Sequence, residues 1–106
     1  MSQNAFALRM RGDLLEPKIS NGQFMVIDGS LPKAGDLAVI WPAKGGDPVA
    51  NVICHDLVGY PLSSRSECVP IVRLKVLNPV EEFAVPMDRI RCIAKVCKIL
   101  PAESVQ

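Results

Sequence analysis

Prolines and glycines interrupt this chain too often for a long helix to fit. Nine prolines and seven glycines are spread through 106 residues. The apolar-rich runs between them are short, and none shows the period of an amphipathic helix over ten or more residues. Proline inside a helix removes a hydrogen bond and clashes with the preceding turn. The runs must therefore fold as short strands. The expected fold is all-β, a single domain of short, mostly antiparallel strands spanning residues 1–106, with 101–106 as a frayed tail.

The apolar runs place strands at Ala5 to Met10, Gln23 to Asp28, Leu37 to Trp41, Pro48 to His55, Val69 to Leu77, Glu82 to Val85 and Arg89 to Leu100. A further short strand is expected at Leu57 to Tyr60. Gly12-Asp13, Asn21-Gly22, Gly45-Gly46, Asn78-Pro79 and Pro86-Met87-Asp88 are turn sequences, because glycine and asparagine supply positive φ and proline fixes its own. Leu14-Leu15-Glu16 reads as one helical turn before Pro17. In the last run, strict alternation puts Ile90, Cys92, Ala94 and Val96 on one face. Arg91, Ile93, Lys95, Cys97 and Ile99 take the other.

Hydrophobic residues make up 49% of the chain but aromatics only 5%, so the core must be aliphatic. A formal net charge of +1 gives no electrostatic footprint for nucleic acid or an anionic membrane. No run approaches the ~18 apolar residues of a membrane span. Met1-Ser2-Gln3-Asn4 lacks the basic and apolar regions of an export signal, so the expected location is cytoplasmic. The four cysteines, Cys54, Cys68, Cys92 and Cys97, are then expected reduced. They form no Cys-x-x-Cys pair. A zinc site from Cys54 or His55 with Cys68 competes with the simpler reading of small buried hydrophobes. No metal and no cofactor is expected.

The segment Met10 to Asp28 also carries a resemblance. It is similar to the active-site segment of the LexA-like self-cleaving repressors and of the related type I signal peptidases. Their pattern is Gly-x-Ser-Met-x-Pro, an Ile or Leu, a turn ending in Gly, and a strand ending in Asp. Gly12, Glu16, Pro17, Ile19, Gly22, Val26 and Asp28 fall in step with it. Gly35-Asp36-Leu37-Ala38-Val39-Ile40 resembles the family's next Gly-Asp-x-Val strand. Arg91-Cys92-Ile93-Ala94-Lys95-Val96 resembles its closing strand without the two glycines. The resemblance implies a barrel-like β fold with a groove at Gly12, Asp13, Leu15, Glu16 and Pro17.

The departures from the family pattern argue against its chemistry. The reactive serine's place falls to Leu14 and the following methionine's to Leu15. The general-base lysine's place falls to Asn51, in Val49-Ala50-Asn51-Val52-Ile53. Leucine has no nucleophilic atom, and a serine–lysine dyad needs a desolvated amine beside the hydroxyl. No other serine lies in this turn, and Ser20 comes after Pro17. His55, the sole histidine, would need Asp56 or Asp47 beside it to build a triad. Asp13 reads as a turn cap. Trp41 and Tyr60 read as a strand end and a loop anchor.

What remains is binding. The family's groove holds a strand, and its terminal strand self-associates. The first expectation is a non-catalytic dimerisation and regulatory module of a phage-type transcriptional repressor, a homodimer through Arg91, Ile93, Lys95, Cys97 and Ile99. DNA would then be read by a separate helix-turn-helix outside this chain. The alternatives are a stand-alone pseudo-peptidase that captures a protein partner's strand and a cryptic serine peptidase.

Overall fold

The computed structural model describes residues 5–55 and 70–103. The fold is all-β. Seven strands run in chain order: β1 (Phe6–Arg9), β2 (Phe24–Ile27), β3 (Leu37–Pro42), β4 (Val49–Ile53), β5 (Ile71–Leu77), β6 (Val80–Pro86) and β7 (Ile90–Leu100). Among the described residues the one helical element is a 3-10 turn, Met87–Arg89, at the expected Pro86 to Asp88 turn. β6 starts before Glu82, directly after the Asn78-Pro79 turn. The expected strand at Leu57 to Tyr60, together with Ser63 to Ser66, Cys68 and Val69, lies outside the described residues.

Every pairing is antiparallel, and the strand order is β1-β2-β7-β3-β4-β5-β6. The last strand is therefore interior. Val96 to Leu100 pairs with β2, and Ile90 to Lys95 pairs with β3. Both halves of the terminal strand are thus engaged within the sheet. Among the described residues the edges of the sheet are β1 and β6.

β7 also departs from strict alternation. Val26 faces Lys98 while Ile27 faces Val96, which leaves Cys97 as an extra residue. Trp41 faces Cys92 while Pro42 faces Ile90, which leaves Arg91 extra. Each bulge flips the faces beyond it. Ala94, Val96 and Ile99 accordingly pack on one cluster, and Ile90 and Ile93 on the other. Arg91, Ile93, Lys95, Cys97 and Ile99 do not form one face, contrary to the alternation.

The two clusters lie on opposite faces of β3 and β4, which explains why Leu37, Ala38, Val39 and Ile40 are all buried. Met10, Leu15, Ile19, Met25 and Ile27 meet Leu37, Val39 and Val52 on one side. Ala38, Ile40, Ile53, Val72 and Leu74 pack on the other. The turn after β1 is stitched to the far part of the sheet. The Leu14 carbonyl accepts from both Leu77 N (2.8 Å) and Asn78 N (2.9 Å). Asn78 Nδ2 donates to the Asp13 carbonyl at 3.2 Å.

Candidate functional site

The turn from Arg11 to Asn21 is built by local chemistry. Gly12 has φ +90°, a value that L side chains rarely adopt, and its N–H donates to Asn21 Oδ1 at 2.8 Å. Asn21 thus caps this turn. Asp13 joins it through its carbonyl, which also accepts from Glu16 N. The Leu14-Leu15-Glu16 turn forms, with Lys18 N and Ile19 N both donating to the Leu15 carbonyl.

The two leucines diverge. Leu15 is fully buried, with Ile19, in the first cluster. Leu14 is 51% exposed and lines a cleft of about 520 Å³. Its other walls include Arg9 and Arg11 on one side and Asp47, Val49 and Ala50 on the other. Of the groove residues expected from the resemblance, Gly12, Asp13 and Pro17 are exposed and Glu16 is half-buried. None of them, nor Leu15, lines the cleft.

Asn51 does not face Leu14. β4 pairs Ala50 with Val39 and Asn51 with Ala38. Val39 belongs to the first cluster and Ala38 to the second. Alternation then sends the Asn51 side chain away from the cleft, where it is buried at 5% exposure. The residue that shares the cleft with Leu14 is Ala50. The β4 residue in the cleft with Leu14 is therefore Ala50, one residue earlier than the sequence pattern suggests. The run Val49-Ala50-Asn51-Val52-Ile53 carries no polar alternation that could have fixed its phase.

Two strand edges open onto this cleft. Met10 N donates to the Gln23 carbonyl, and the Met10 carbonyl accepts from Gly22 N, so Met10 faces β2 with both groups. Ala7 and Arg9, in the opposite phase, turn theirs away from β2. Across the cleft, Ile53 N donates to the Asp36 carbonyl and the Ile53 carbonyl accepts from Gly35 N. Ile53 therefore faces β3, and Ala50, in the opposite phase, turns its N–H and C=O away from it.

The cleft's charges are Arg9, Arg11 and Asp47. The Arg9 guanidinium lies 4.4 Å from the Phe24 ring centroid and donates to the Gly22 carbonyl at 3.2 Å. It is held as a wall group by these contacts. Trp41 sits nearby, edge-on to Phe6 at 6.3 Å between centroids. Among the described residues the lining contains no hydroxyl, thiol, amine or imidazole side chain.

The remaining sequence candidates lie elsewhere. His55 Nε2 accepts from Arg73 N at 3.1 Å. Burial pushes the Cys54 thiol up, with the Glu82 carboxylate adding to the effect. At the end of β2, Ser30 Oγ and Ser30 N both donate to Asp28 Oδ1, at 2.6 and 3.0 Å. These bonds hold the Asp28 carboxyl below its ordinary value. Cys97 Sγ, on its bulge, donates to the Val26 carbonyl at 3.3 Å. Tyr60 and Cys68 lie outside the described residues.

No family model, curated protein or solved structure matches this chain. Among the described residues no helix is long and apolar enough to cross a membrane.

Proposed function

We propose that this chain is a non-catalytic relative of the self-cleaving repressor peptidases, a regulatory module that holds an extended peptide segment. In this reading it serves a transcriptional regulator, and a separate helix-turn-helix reads DNA. The observation that carries it is the cleft beside Leu14. An aliphatic side chain stands where the relatives keep a hydroxyl, and Ala50 stands across from it. Neither can transfer a proton or attack a carbonyl.

The cleft still suits a strand. Among the described residues no strand pairs with the outward backbone groups of Ala7, Arg9 and Ala50, and edge addition draws its affinity from such groups. Leu8, Leu14 and Val49 offer apolar contacts for alternate side chains. Burying each of these side chains fully would contribute about 1.5–3 kcal/mol, less the ordering cost of the guest.

The test is an NMR titration of the intact chain with a blocked pentapeptide of alternating valine and alanine. Amide shifts should concentrate at Ala7, Arg9 and Ala50, and Leu14→Asp should weaken binding. Shifts confined to other strands would remove the reading. A serine-directed acylating probe should leave the protein unlabelled. Labelling abolished by a single Ser→Ala change would favour the cryptic peptidase instead.

A further inference from the structure

We infer that β6 is a self-association edge, where two copies of this chain join their sheets antiparallel about a two-fold axis at Phe83. The argument begins with hydrogen-bond phase. Arg73 N donates to His55 Nε2, and the Arg73 carbonyl accepts from Cys54 N at 3.0 Å. Both Arg73 groups therefore point toward β4, as those of Ile71, Lys75 and Leu77 must by alternation. Val72, Leu74 and Val76 point toward β6, where they face Val85, Phe83 and Glu81. The opposite set on β6, Val80, Glu82 and Ala84, turns its N–H and C=O groups outward. Pro86 shares that phase and offers a carbonyl alone. Among the described residues this is an edge strand with a row of open donors and acceptors.

The side chains on this edge are not those of a solvated surface. Val80 is 70% exposed and Phe83 42%. Phe83 pairs with Leu74, which is buried in the second cluster. The apolar row therefore runs from the core to the edge and stops there.

Charge then selects the occupant and its register. An antiparallel two-fold centred on Glu82 would set Glu82 against the second copy's Glu82, and one centred on Glu81 would do the same with Glu81. Like charges directly opposite destabilise a pair. Centring on Ala84 leaves Val80 without a partner. Centring on Phe83 sets Glu82 against Ala84 and Glu81 against Val85, with no acid facing an acid. Glu82 and Ala84 then exchange two-way backbone bonds, and Val80 N–H reaches the second copy's Pro86 carbonyl. The missing N–H of Pro86 is then the only defect in the ladder.

The side-chain rows close as well. On one face the sequence across the joint is Leu74, Phe83, the second copy's Phe83, its Leu74. The aromatic pair falls at a non-hydrogen-bonded position, where side chains approach most closely. On the other face the row across the joint is Lys75, Glu82, the second copy's Ala84, its Arg73, so each Glu82 looks along the row, past a small alanine, toward the second copy's Arg73. A strand from this chain thus fits its own copy, as an isologous interface requires. A single strand–strand joint is smaller than a standard interface, so the dimer is concentration-dependent.

Sedimentation velocity on the intact chain, from micromolar to millimolar, reads this directly. The wild type should shift from monomer to dimer. Ala84→Pro deletes an outward N–H that no contact among the described residues uses, and it should hold the chain monomeric with an unchanged circular dichroism spectrum. The register is read separately with Phe83→Cys in a Cys92→Ser, Cys97→Ser background. Mild oxidation should cross-link that variant, because opposed positions fall within disulfide reach, while Glu81→Cys in the same background should not. A monomer at every concentration overturns the proposal. So does a dimer that Ala84→Pro leaves intact, or one that Glu81→Cys cross-links and Phe83→Cys does not.

Discussion

Leu14 and Leu15 are chain neighbours on opposite sides of the protein surface: Leu15 has no exposure, and Leu14 is 51% exposed on the wall of the cleft. The carbonyl between them in the chain, that of Leu14, is fixed by Leu77 N and Asn78 N. The turn cannot rotate to hide both side chains, because doing so would strand two amides of β5 and its turn. The cleft stays open for that reason.

Leu15→Ala should therefore destabilise the fold by about 2–5 kcal/mol, the range for a leucine removed from a packed core. Leu14→Ala should cost less than about 1 kcal/mol, since half of its surface already meets water. Equilibrium urea unfolding of both variants checks the contrast, and equal losses would contradict the assigned orientations.

Rebuilding a dyad should succeed or fail by one residue of register. Leu14→Ser with Ala50→Lys places hydroxyl and amine in one cleft. Leu14→Ser with Asn51→Lys sends the amine into the second cluster, where an unpaired ammonium costs several kcal/mol or forces neutralisation. Acylating-probe labelling should appear, weakly, in the first double variant alone. The second should show a lowered unfolding midpoint.

Ser30→Ala should let the Asp28 carboxyl rise toward the ordinary aspartate value, because the two bonds from Ser30 stabilise the charged form. The sign follows from linkage: the folded-state pKa is the depressed one. Its contribution to stability is present above the unfolded value and is lost as pH falls through the folded one. Side-chain carbon NMR of Asp28 across the acid range gives the direction directly, and an unmoved titration in the variant would contradict the role given to Ser30.

Thiol chemistry should separate Cys54 from the exposed pair. Its thiol is pushed up by burial and by Glu82, and the thiolate is the reactive form. Mass-resolved alkylation at mildly alkaline pH should modify Cys92 and Cys97, both exposed, before Cys54. Glu82→Gln should narrow the gap.

The sequence by itself determined which stretches form strands and which residues turn between them. Gly12 and Gly22 take positive φ, Asn78-Pro79 turns, and Pro42 and Pro101 close β3 and β7. Those are properties of a residue and its immediate neighbours, so they can be read without a partner strand. It also determined that Leu14 stands in the turn between β1 and β2, since turn spacing counts residues. Only the tertiary structure decided what faces what. The bulges at Arg91 and Cys97 flip the faces of β7, the phase of β4 sets Ala50 rather than Asn51 across from Leu14, and β7 lies inside the sheet while β6 forms its edge. Side-chain direction in a strand has a period of two, so one extra residue reverses it. Whether that residue exists depends on the hydrogen bonds of a neighbour far away in the chain.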